Sequence, residues 1–224
     1  KGPLQEAANR FYKGLLKAHA VLCHSRPPRA DRGEIHGQHY YFLPPALIKS
    51  LADSEDFLVA PVRSDWQAID LLQIADLLES HDLVFAEVFY TFGPLLSRLA
   101  SERGFTTYSV FLLPVDKNPH TESQTIVEVM RQKLKCRGTD TAKIEERAQL
   151  APVEMQAASQ FTHRLLNPAS EDEVGEWGEF GTRDGVKGSR TIQNLDELGP
   201  NARWLVETFV KIATGHLPLG EYRR

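Results

Sequence analysis

Arg26, Arg29 and Tyr40 lie within fifteen residues of one another, in a stretch that contains proline and glycine. A planar guanidinium offers bidentate N–H donors that match the oxygens of a phosphate dianion, and a tyrosine hydroxyl adds a neutral donor. These three side chains are therefore predicted to form a phosphate-binding clamp. The alternative, that they are surface residues without a ligand, stays open because arginine near proline is common in loops.

Three histidines, His24, His36 and His39, lie in the same stretch. Their spacing is not that of a zinc site, and no cysteine or carboxylate completes a tetrahedral ligand set with them. We therefore expect solvated loop histidines and no metal site.

The overall composition is that of an ordinary globular protein of 224 residues with a net charge of −4. This charge gives no positive field for nucleic acid or acidic membranes, and no apolar run approaches the roughly 18 residues of a membrane span. The two cysteines, Cys23 and Cys136, lack metal-ligand spacing and favour a reduced, cytoplasmic protein. Because the sequence begins with Lys rather than Met, we expect further residues upstream, including a first strand.

Apolar periodicity predicts strands that alternate with helices. Helices are predicted at residues 4–19, 46–52, 66–80, 94–103 and 123–162, the last with an interruption at 136–141. Strands are predicted at residues 20–24, 40–43, 56–62, 83–90, 107–113 and 163–167. This rhythm predicts an α/β fold with a parallel sheet and crossover helices. Residues 170–199 lose the periodicity, and Pro200 begins a last helix that Gly215 ends.

Seven segments resemble, in order, motifs of the guanylate kinase family between about residues 2 and 172. Ser25-Arg26-Pro27-Pro28-Arg29 is similar to T-T-R-x-P-R, and residues 33–42 are similar to G-E-x-x-G-x-D-Y-x-F. The other segments are residues 2–3 with 13–16, 56–58, 111–114, 137–140 with Arg147, and 154–155 with 165–167.

The resemblance implies a P-loop NTPase-like fold of the nucleoside monophosphate kinase type, a three-layer fold with a parallel sheet and helices on both faces. The kinase-like domain would comprise residues 1–170, with a small inserted α+β acceptor-binding subdomain at about 26–90 and a lid at about 131–150. An irregular acidic and glycine-rich segment at 171–199 would follow. A C-terminal helix and tail at 200–224 would complete this extension.

The family's phosphate loop, G-x-x-G-x-G-K-[ST], aligns with residues 2–9. Gly2 is kept, but Ala8 stands at the lysine position and Asn9 at the Ser/Thr position. Glycine amides cradle the phosphates of ATP, the lysine reaches the β and γ oxygens, and the hydroxyl holds Mg²⁺. The resemblance therefore implies a degenerate phosphate loop that does not use ATP in the family's manner.

The acceptor site is divided between kept and lost residues. In the family two arginines and a tyrosine bind the phosphate of the nucleotide monophosphate, and these match Arg26, Arg29 and Tyr40. A second clamp tyrosine falls at Ala68 and is lost. The positions that read guanine fall at Leu22, Val59, Asp70 and Tyr90. The resemblance thus implies a retained phosphate grip without guanine selection.

For the lid, the resemblance implies that Arg137 and Arg147, with Lys133 at a third position, neutralise transferring phosphate. It also implies that Asn167 contacts adenine. For the two arginines, ion pairs with neighbouring acidic residues such as Glu145 are the favoured alternative.

These residues favour a catalytically degenerate guanylate kinase-like protein that binds a phosphorylated small molecule, or a phosphoprotein or peptide, through the clamp. The alternative is an active ATP-dependent nucleotide kinase with an altered donor loop and acceptor specificity. A third hypothesis is a structural role in which the helix at 200–214 docks on a second copy or a partner protein. No cofactor is expected except ATP and Mg²⁺ under the kinase alternative.

Overall fold

The computed structural model describes residues 2–15, 18–30, 33–115, 123–136, 138–167, 173–183 and 185–223. The chain forms two compact units: Leu16–Phe92, called the inserted unit, and Lys1–Leu15 with Gly93–Arg224, called the flanking unit. The chain therefore leaves the flanking unit after residue 15 and returns to it at residue 93.

The α-helices and strands of the described residues alternate along most of the chain. The helices are α1 (Gly2–Phe11), α2 (Pro45–Ser50), α3 (Leu71–Ser80), α4 (Phe92–Glu102), α5 (Ser123–Cys136), α6 (Thr141–Gln156), α7 (Glu173–Trp177) and α8 (Pro200–Ala213). The strands are β1 (Ala18–His19), β2 (Cys23–His24), β3 (Tyr41–Phe42), β4 (Phe57–Val62), β5 (Asp65–Asp70), β6 (Val84–Phe85), β7 (Val110–Leu113), β8 (His163–Leu166), β9 (Thr182–Arg183), β10 (Val186–Lys187) and β11 (Gly220–Tyr222). None of these helices has both the length and the apolar character needed to cross a bilayer.

The inserted unit contains a mixed four-stranded sheet with the order β3-β2-β5-β4. β2 is parallel to β3 and antiparallel to β5, and β4 and β5 form a hairpin that places Leu58 opposite Ile69. The hairpin turns at Arg63, whose φ of 57° lies in the left-handed region. In the same unit, β1 and β6 form a separate parallel pair.

A small core fixes the end of β2, where the candidate site begins. Ile48 of α2 and Ala68 of β5 are fully buried and share one cluster with Cys23 of β2. Pro45 stands in the first turn of α2, where a missing N–H costs no helical hydrogen bond. The burial of Ile48 therefore anchors α2 against the sheet, and the chain between His24 and β3 leaves this anchored end as a loop.

The flanking unit contains a three-stranded parallel sheet with the order β11-β8-β7. Parallel neighbours need long crossover connections, and α5 with α6 supplies the one from β7 to β8. The core of this unit joins the sheet to the two crossover helices. Leu113 of β7, Ile126 of α5 and Met155 of α6 pack in one buried cluster.

The last helix, α8, begins with Pro200 at its first position, as predicted. Its apolar face is buried, with Leu205 and Ile212 fully covered, and Gly215 follows its end with a φ of 70°. The helix therefore uses this face within its own unit. Docking of α8 on a second copy or partner stays a prediction.

The prediction of an α/β fold is confirmed, but several element boundaries are wrong. The predicted helix at 4–19 ends at Phe11, and its last residues form β1. The predicted helix at 66–80 begins only at Leu71, because residues 65–70 pair with β4 as strand β5. The predicted buried strand at 83–90 is reduced to the two residues of β6.

The parallel strands also differ from the prediction. Within the described residues they form two small parallel sheets, β11-β8-β7 and β1-β6, and the pair β2 and β3 inside the mixed sheet, in place of one predicted parallel sheet. The C-terminal tail, predicted without a strand, supplies β11, which extends the flanking sheet beside β8.

The segment at 171–199 is not irregular where the structure describes it. It forms α7, the β9–β10 hairpin and short 3-10 turns, and its apolar side chains Trp177, Phe180 and Ile192 are buried. The sequence periodicity misses these elements because each is too short to repeat.

Gly93 in the first turn of α4 is required by packing. A Cβ at this position would lie 2.5 Å from Cε1 and 2.7 Å from Cζ of Phe161, whose ring packs edge-to-face on Phe111. We therefore expect Gly93→Ala to lower the free energy of unfolding by about 1–3 kcal/mol, the usual cost of overpacking, as measured by urea denaturation. The matched control is Ser101→Ala at an exposed position of the same helix, which should be neutral. Equal stability of the two variants would contradict the packing assigned to Phe161.

Candidate functional site

The loop between β2 and β3 contains a close pair between Arg26 and Glu34. Nη2 of Arg26 donates to Oε1 of Glu34 at 2.7 Å, and Nη1 donates to Oε2 at 2.5 Å. Both side chains are largely buried, with 13% and 10% of their surfaces exposed. Such a bidentate pair fixes both the position and the plane of the guanidinium.

Aromatic rings hold the same guanidinium. The Cζ atom of Arg26 lies 5.3 Å from the ring centroid of Tyr40 and 5.3 Å from that of Phe42. Tyr40 in turn packs edge-to-face on His24 at 5.2 Å. These cation–π contacts strengthen when they are shielded from water, as they are here.

Arg29 meets the same carboxylate from the other side. Its backbone N–H donates to Oε2 of Glu34 at 2.8 Å, and its Nη1 lies 3.9 Å from Oε1. The structure thus brings all three predicted clamp residues, Arg26, Arg29 and Tyr40, around Glu34. The side chain of Arg29 is 44% exposed, so it is the most accessible charge of the group.

The carboxylate lowers the charge of the clamp. Burial alone would raise the pKa of Glu34, but hydrogen bonds from the Arg26 side chain and the Arg29 backbone outweigh it and hold the pKa below its ordinary value. Glu34 is therefore ionised at neutral pH. Together with the two arginines it leaves the clamp with one net positive charge.

The hydrogen bonds that Arg26 makes to the described residues involve only its two terminal nitrogens. Nη1 donates to Glu34 and to the carbonyl oxygen of Pro27, and Nη2 donates once to Glu34. These three bonds use both N–H groups of Nη1 and one N–H group of Nη2. The side edge, formed by Nε–H and the second N–H of Nη2, has the geometry that binds two phosphate oxygens.

Tyr40 supplies a neutral hydroxyl at this site. Burial, followed by the negative charge of Glu87, raises the pKa of Tyr40 to about 12. The phenol therefore keeps its proton at physiological pH. It can donate a hydrogen bond to an anion.

The three histidines of this stretch serve as hydrogen-bond acceptors. The Nδ1 atom of His24 accepts from the backbone N–H of Arg26 at 3.2 Å. Those of His36 and His39 accept from backbone N–H groups of the same loop at 3.1 Å each. No group of His, Cys, Asp or Glu side chains in the described ranges is arranged to hold a metal ion.

The degenerate phosphate loop is a helix in this structure. Gly2, Ala8 and Asn9 all lie in α1, and Ala8 is fully buried. Glu6 on the exposed side pairs with Lys187 at 3.0 Å. Backbone N–H groups inside a helix donate to helical carbonyl groups. Those of residues 6–9 therefore cannot donate to phosphate oxygens as the N–H groups of the family's loop do.

The lid residues are only partly described. Arg137 lies outside the described residues. Lys133 on α5 donates from Nζ to the carbonyl oxygen of Asn167 at 3.0 Å, which joins two of the predicted positions. Arg147 lies on α6 with its Nε buried. Its phosphate role stays a prediction, as do those of Lys133 and Asn167.

Glu145, one of the three acidic neighbours expected for the lid arginines beside Glu146 and Asp140, pairs with Arg131. Glu145 accepts from Nε and Nη2 of Arg131, both at 2.9 Å, and this pair joins α6 to α5.

The positions that read guanine in the family have structural roles in this chain. Asp70 caps α3 by accepting from the backbone N–H of Gln73 at 3.0 Å. Leu22 is buried and apolar, and Val59 packs against the cluster of Cys23, Ile48 and Ala68, so these two positions offer no carboxylate or hydroxyl group that could select a base. Ala68, at the position of the second clamp tyrosine, is fully buried.

Glu34 and Phe42 were not predicted as members of the site. Both belong to the motif at residues 33–42, but only the folded loop shows that Glu34 is the partner of Arg26. The sequence signal was an acidic residue between the clamp arginines and Tyr40, and the sequence has two there, Asp31 and Glu34.

The chain is similar in sequence and in structure to guanylate kinases. No protein-family model matches the chain. Its sequence is similar to a guanylate kinase of Nostoc sp. (strain PCC 7120 / SAG 25.82 / UTEX 2576), at 26% identity over 178 residues, 74% of this chain and 79% of that protein. It is also similar to the crystal structure of guanylate kinase from Anaplasma phagocytophilum, at 13% identity and a TM-score of 0.49, covering 75% of this chain and 72% of that one. The Nostoc sequence confirms the resemblance to guanylate kinases.

His24 gives this site a measurable pH dependence. Burial, followed by the positive charge of Arg26, lowers the pKa of His24 from 6.5 to about 4. We expect its imidazole NMR signals to titrate near pH 4. Because the unfolded chain then binds a proton that the folded one does not, the stability supplied by neutral His24 is complete above pH 6.5 and is lost as the pH falls towards 4.

The control for this titration is His24→Asn, which keeps an acceptor but cannot be protonated. The difference in unfolding free energy between the wild type and this variant should change between pH 6.5 and 4. An NMR midpoint close to 6.5 would contradict the buried position of His24.

Proposed function

We propose that this chain is a guanylate kinase-like protein with a P-loop kinase-like fold, which binds a phosphate-bearing ligand at Arg26, Arg29 and Tyr40 without transferring a phosphoryl group from ATP. The observation that carries this proposal is the convergence of these three side chains around Glu34, with the side edge of Arg26 left over. The sequence similarity to the Nostoc guanylate kinase supports a nucleotide-kinase ancestry.

A phosphate dianion matches the donors that this site offers. The Nε–H and Nη2–H edge of Arg26 can hold two oxygens, while the exposed guanidinium of Arg29 and the neutral hydroxyl of Tyr40 can reach others. Arg26 needs little ordering on binding because Glu34 and two rings already hold it. Preorganisation of this kind reduces the entropic cost of binding.

The ligand is expected to bind weakly. Glu34 cancels one of the two arginine charges, and an incoming dianion must approach within reach of that carboxylate. Displacement of Glu34 would leave a buried carboxylate without its partner, which is costly. The ligand therefore binds beside Glu34, and the residual charge and Tyr40 supply the attraction.

The donor half of a kinase site is what this chain lacks. Ala8 replaces the lysine of the phosphate loop, α1 runs through the loop positions, and Glu6 adds negative charge on the exposed side of that helix. Loss of the lysine removes transition-state stabilisation worth on the order of 10² or more in rate. We therefore favour binding over catalysis, with the ligand a phosphorylated small molecule or a phosphopeptide.

Substitution of the accessible arginine tests the binding site. We expect Arg29→Ala to weaken binding of inorganic phosphate by roughly tenfold or more, measured by titration calorimetry, because a charge-assisted hydrogen bond is lost. Arg98→Ala is the matched control, since Arg98 is an exposed helical arginine of the flanking unit, and it should bind as the wild type does. Equal weakening in the two variants would indicate only non-specific charge attraction.

Activity assays separate this proposal from the kinase alternative. With ATP, Mg²⁺ and GMP or another nucleoside monophosphate, we expect no formation of ADP above the background rate. Turnover that is abolished by Arg29→Ala would contradict the proposal and establish an active kinase with an unusual donor site.

A further inference from the structure

The loop that carries Glu34 and Tyr40 is closed by two imidazoles. Nδ1 of His39 accepts from the backbone N–H of Ile35 at 3.1 Å, and Nδ1 of His36 accepts from the backbone N–H of Phe42 at 3.1 Å. Both histidines are exposed to solvent. The two bonds hold opposite ends of residues 35–42, which we call the latch loop.

The hydrogen bond from the Phe42 N–H to His36 satisfies a backbone group at the edge of the sheet. Tyr41 and Leu43 donate their N–H groups to Leu22 and His24, so the N–H of Phe42 between them points away from β2. β3 is the edge strand, and the ring of His36 supplies an acceptor that no further strand provides. His36 therefore ties the start of the latch loop to the strand that positions the Phe42 ring on Arg26.

The hydrogen bond from the Ile35 N–H to His39 joins the two sides of the loop near its tip. Gly37, with a φ of 80°, donates to the carbonyl oxygen of Tyr40, and His39 donates its own N–H to the carbonyl oxygen of Ile35. Ile35 is the immediate neighbour of Glu34. The Ile35–His39 contact therefore closes the chain between Glu34, which fixes Arg26, and Tyr40, which follows His39 directly.

Protonation of either imidazole breaks its bond. A neutral ring accepts at Nδ1 only when its proton is on Nε2, whereas a doubly protonated ring presents an N–H donor to the backbone N–H. Histidine side chains ordinarily change protonation between about pH 5 and 8. His24, whose pKa is lowered to about 4 mainly by burial, stays neutral over this range and keeps its bond to Arg26.

Charged groups from several elements surround the latch loop. His19 of β1 lies within electrostatic reach of His39 and of Glu87. Arg26, Arg29 and Glu34 act on Tyr40 from the segment that precedes the latch loop, and Glu87 acts on it from the segment after β6. Asp65 of β5 acts on His24. Both signs of charge therefore surround the latch loop, and its response to pH is not set by one neighbour.

We propose that His36 and His39 form a pH-sensitive latch on the anion site, so that protonation of either ring opens the latch loop and weakens anion binding. The expectation that an open loop weakens anion binding rests on the proposed function. Opening frees Tyr40 and Phe42 from their places beside Arg26, while the buried pair of Arg26 and Glu34 stays intact, so the site loses the Tyr40 hydroxyl and the two rings that hold the guanidinium. Simple charge attraction has the opposite sign, because added imidazolium charge would strengthen anion binding in acid.

The experiment uses sulfate, which remains a dianion throughout the range from about pH 8 to pH 5.5, on the full chain. We expect the sulfate affinity of the wild type to fall by about tenfold towards pH 5.5. The variant His36→Asn/His39→Asn keeps an acceptor oxygen near each Nδ1 position but cannot be protonated, and its affinity should not fall. His216→Asn in the flanking unit is the matched control and should behave as the wild type.

A second measurement follows the loop without any anion. Protection of the Ile35 and Phe42 amides against hydrogen exchange should fall as the two rings are protonated, which nitrogen-15 NMR of the imidazoles records. Protection that persists after protonation, or sulfate affinity that rises in acid, would overturn the proposal. If sulfate and phosphate do not bind at pH 8, the proposed function fails, and the amide measurement still decides whether the latch exists.

Discussion

The bidentate pair of Arg26 and Glu34 determines what the rest of the site can do. A largely buried guanidinium must be paired, and removal of its partner would leave an uncompensated charge, which typically costs several kcal/mol. The carboxylate must therefore stay in place if the proposed ligand binds. This requirement limits the proposed ligand to the side edge of Arg26 and reduces the charge available to attract it. The same pair makes the site rigid, because Tyr40, Phe42 and the backbone of Arg29 are all arranged around it.

The two halves of the kinase resemblance have different physical outcomes. In the segment that resembles the phosphate loop, Leu4, Ala7 and Ala8 face the interior of the flanking unit and give the helix a buried side. Alanine is the best helix former, and glycine is among the poorest. The alanines in this segment therefore favour a helix over a glycine-rich loop. In the loop that resembles the acceptor site, His36 and His39 accept hydrogen bonds from the backbone, and the predicted clamp residues match the family motif.

Long elements with clear periodicity were predictable from the sequence, whereas short ones were not. Helix α8, with Pro200 at its start, was placed correctly. Strand β5 was taken for helix because Ile69 continues the helical spacing of Leu72 and Ala75, and only pairing with β4 shows where the strand ends. The clamp residues could be named from their types and spacing, but Glu34 as their shared partner could not. Its contacts depend on a loop conformation that no residue of the loop specifies alone.

The Nε–H resonance of Arg26 tests the central claim most directly, because that N–H lies on the edge left for the ligand. In a titration of the protein with inorganic phosphate at pH 7.5, followed by NMR of the arginine side chains, we expect this resonance to shift and saturate. The Nη bonds to Glu34 should persist, since the carboxylate stays in place. An Nε–H resonance that does not move at phosphate concentrations that shift other arginines would contradict the account.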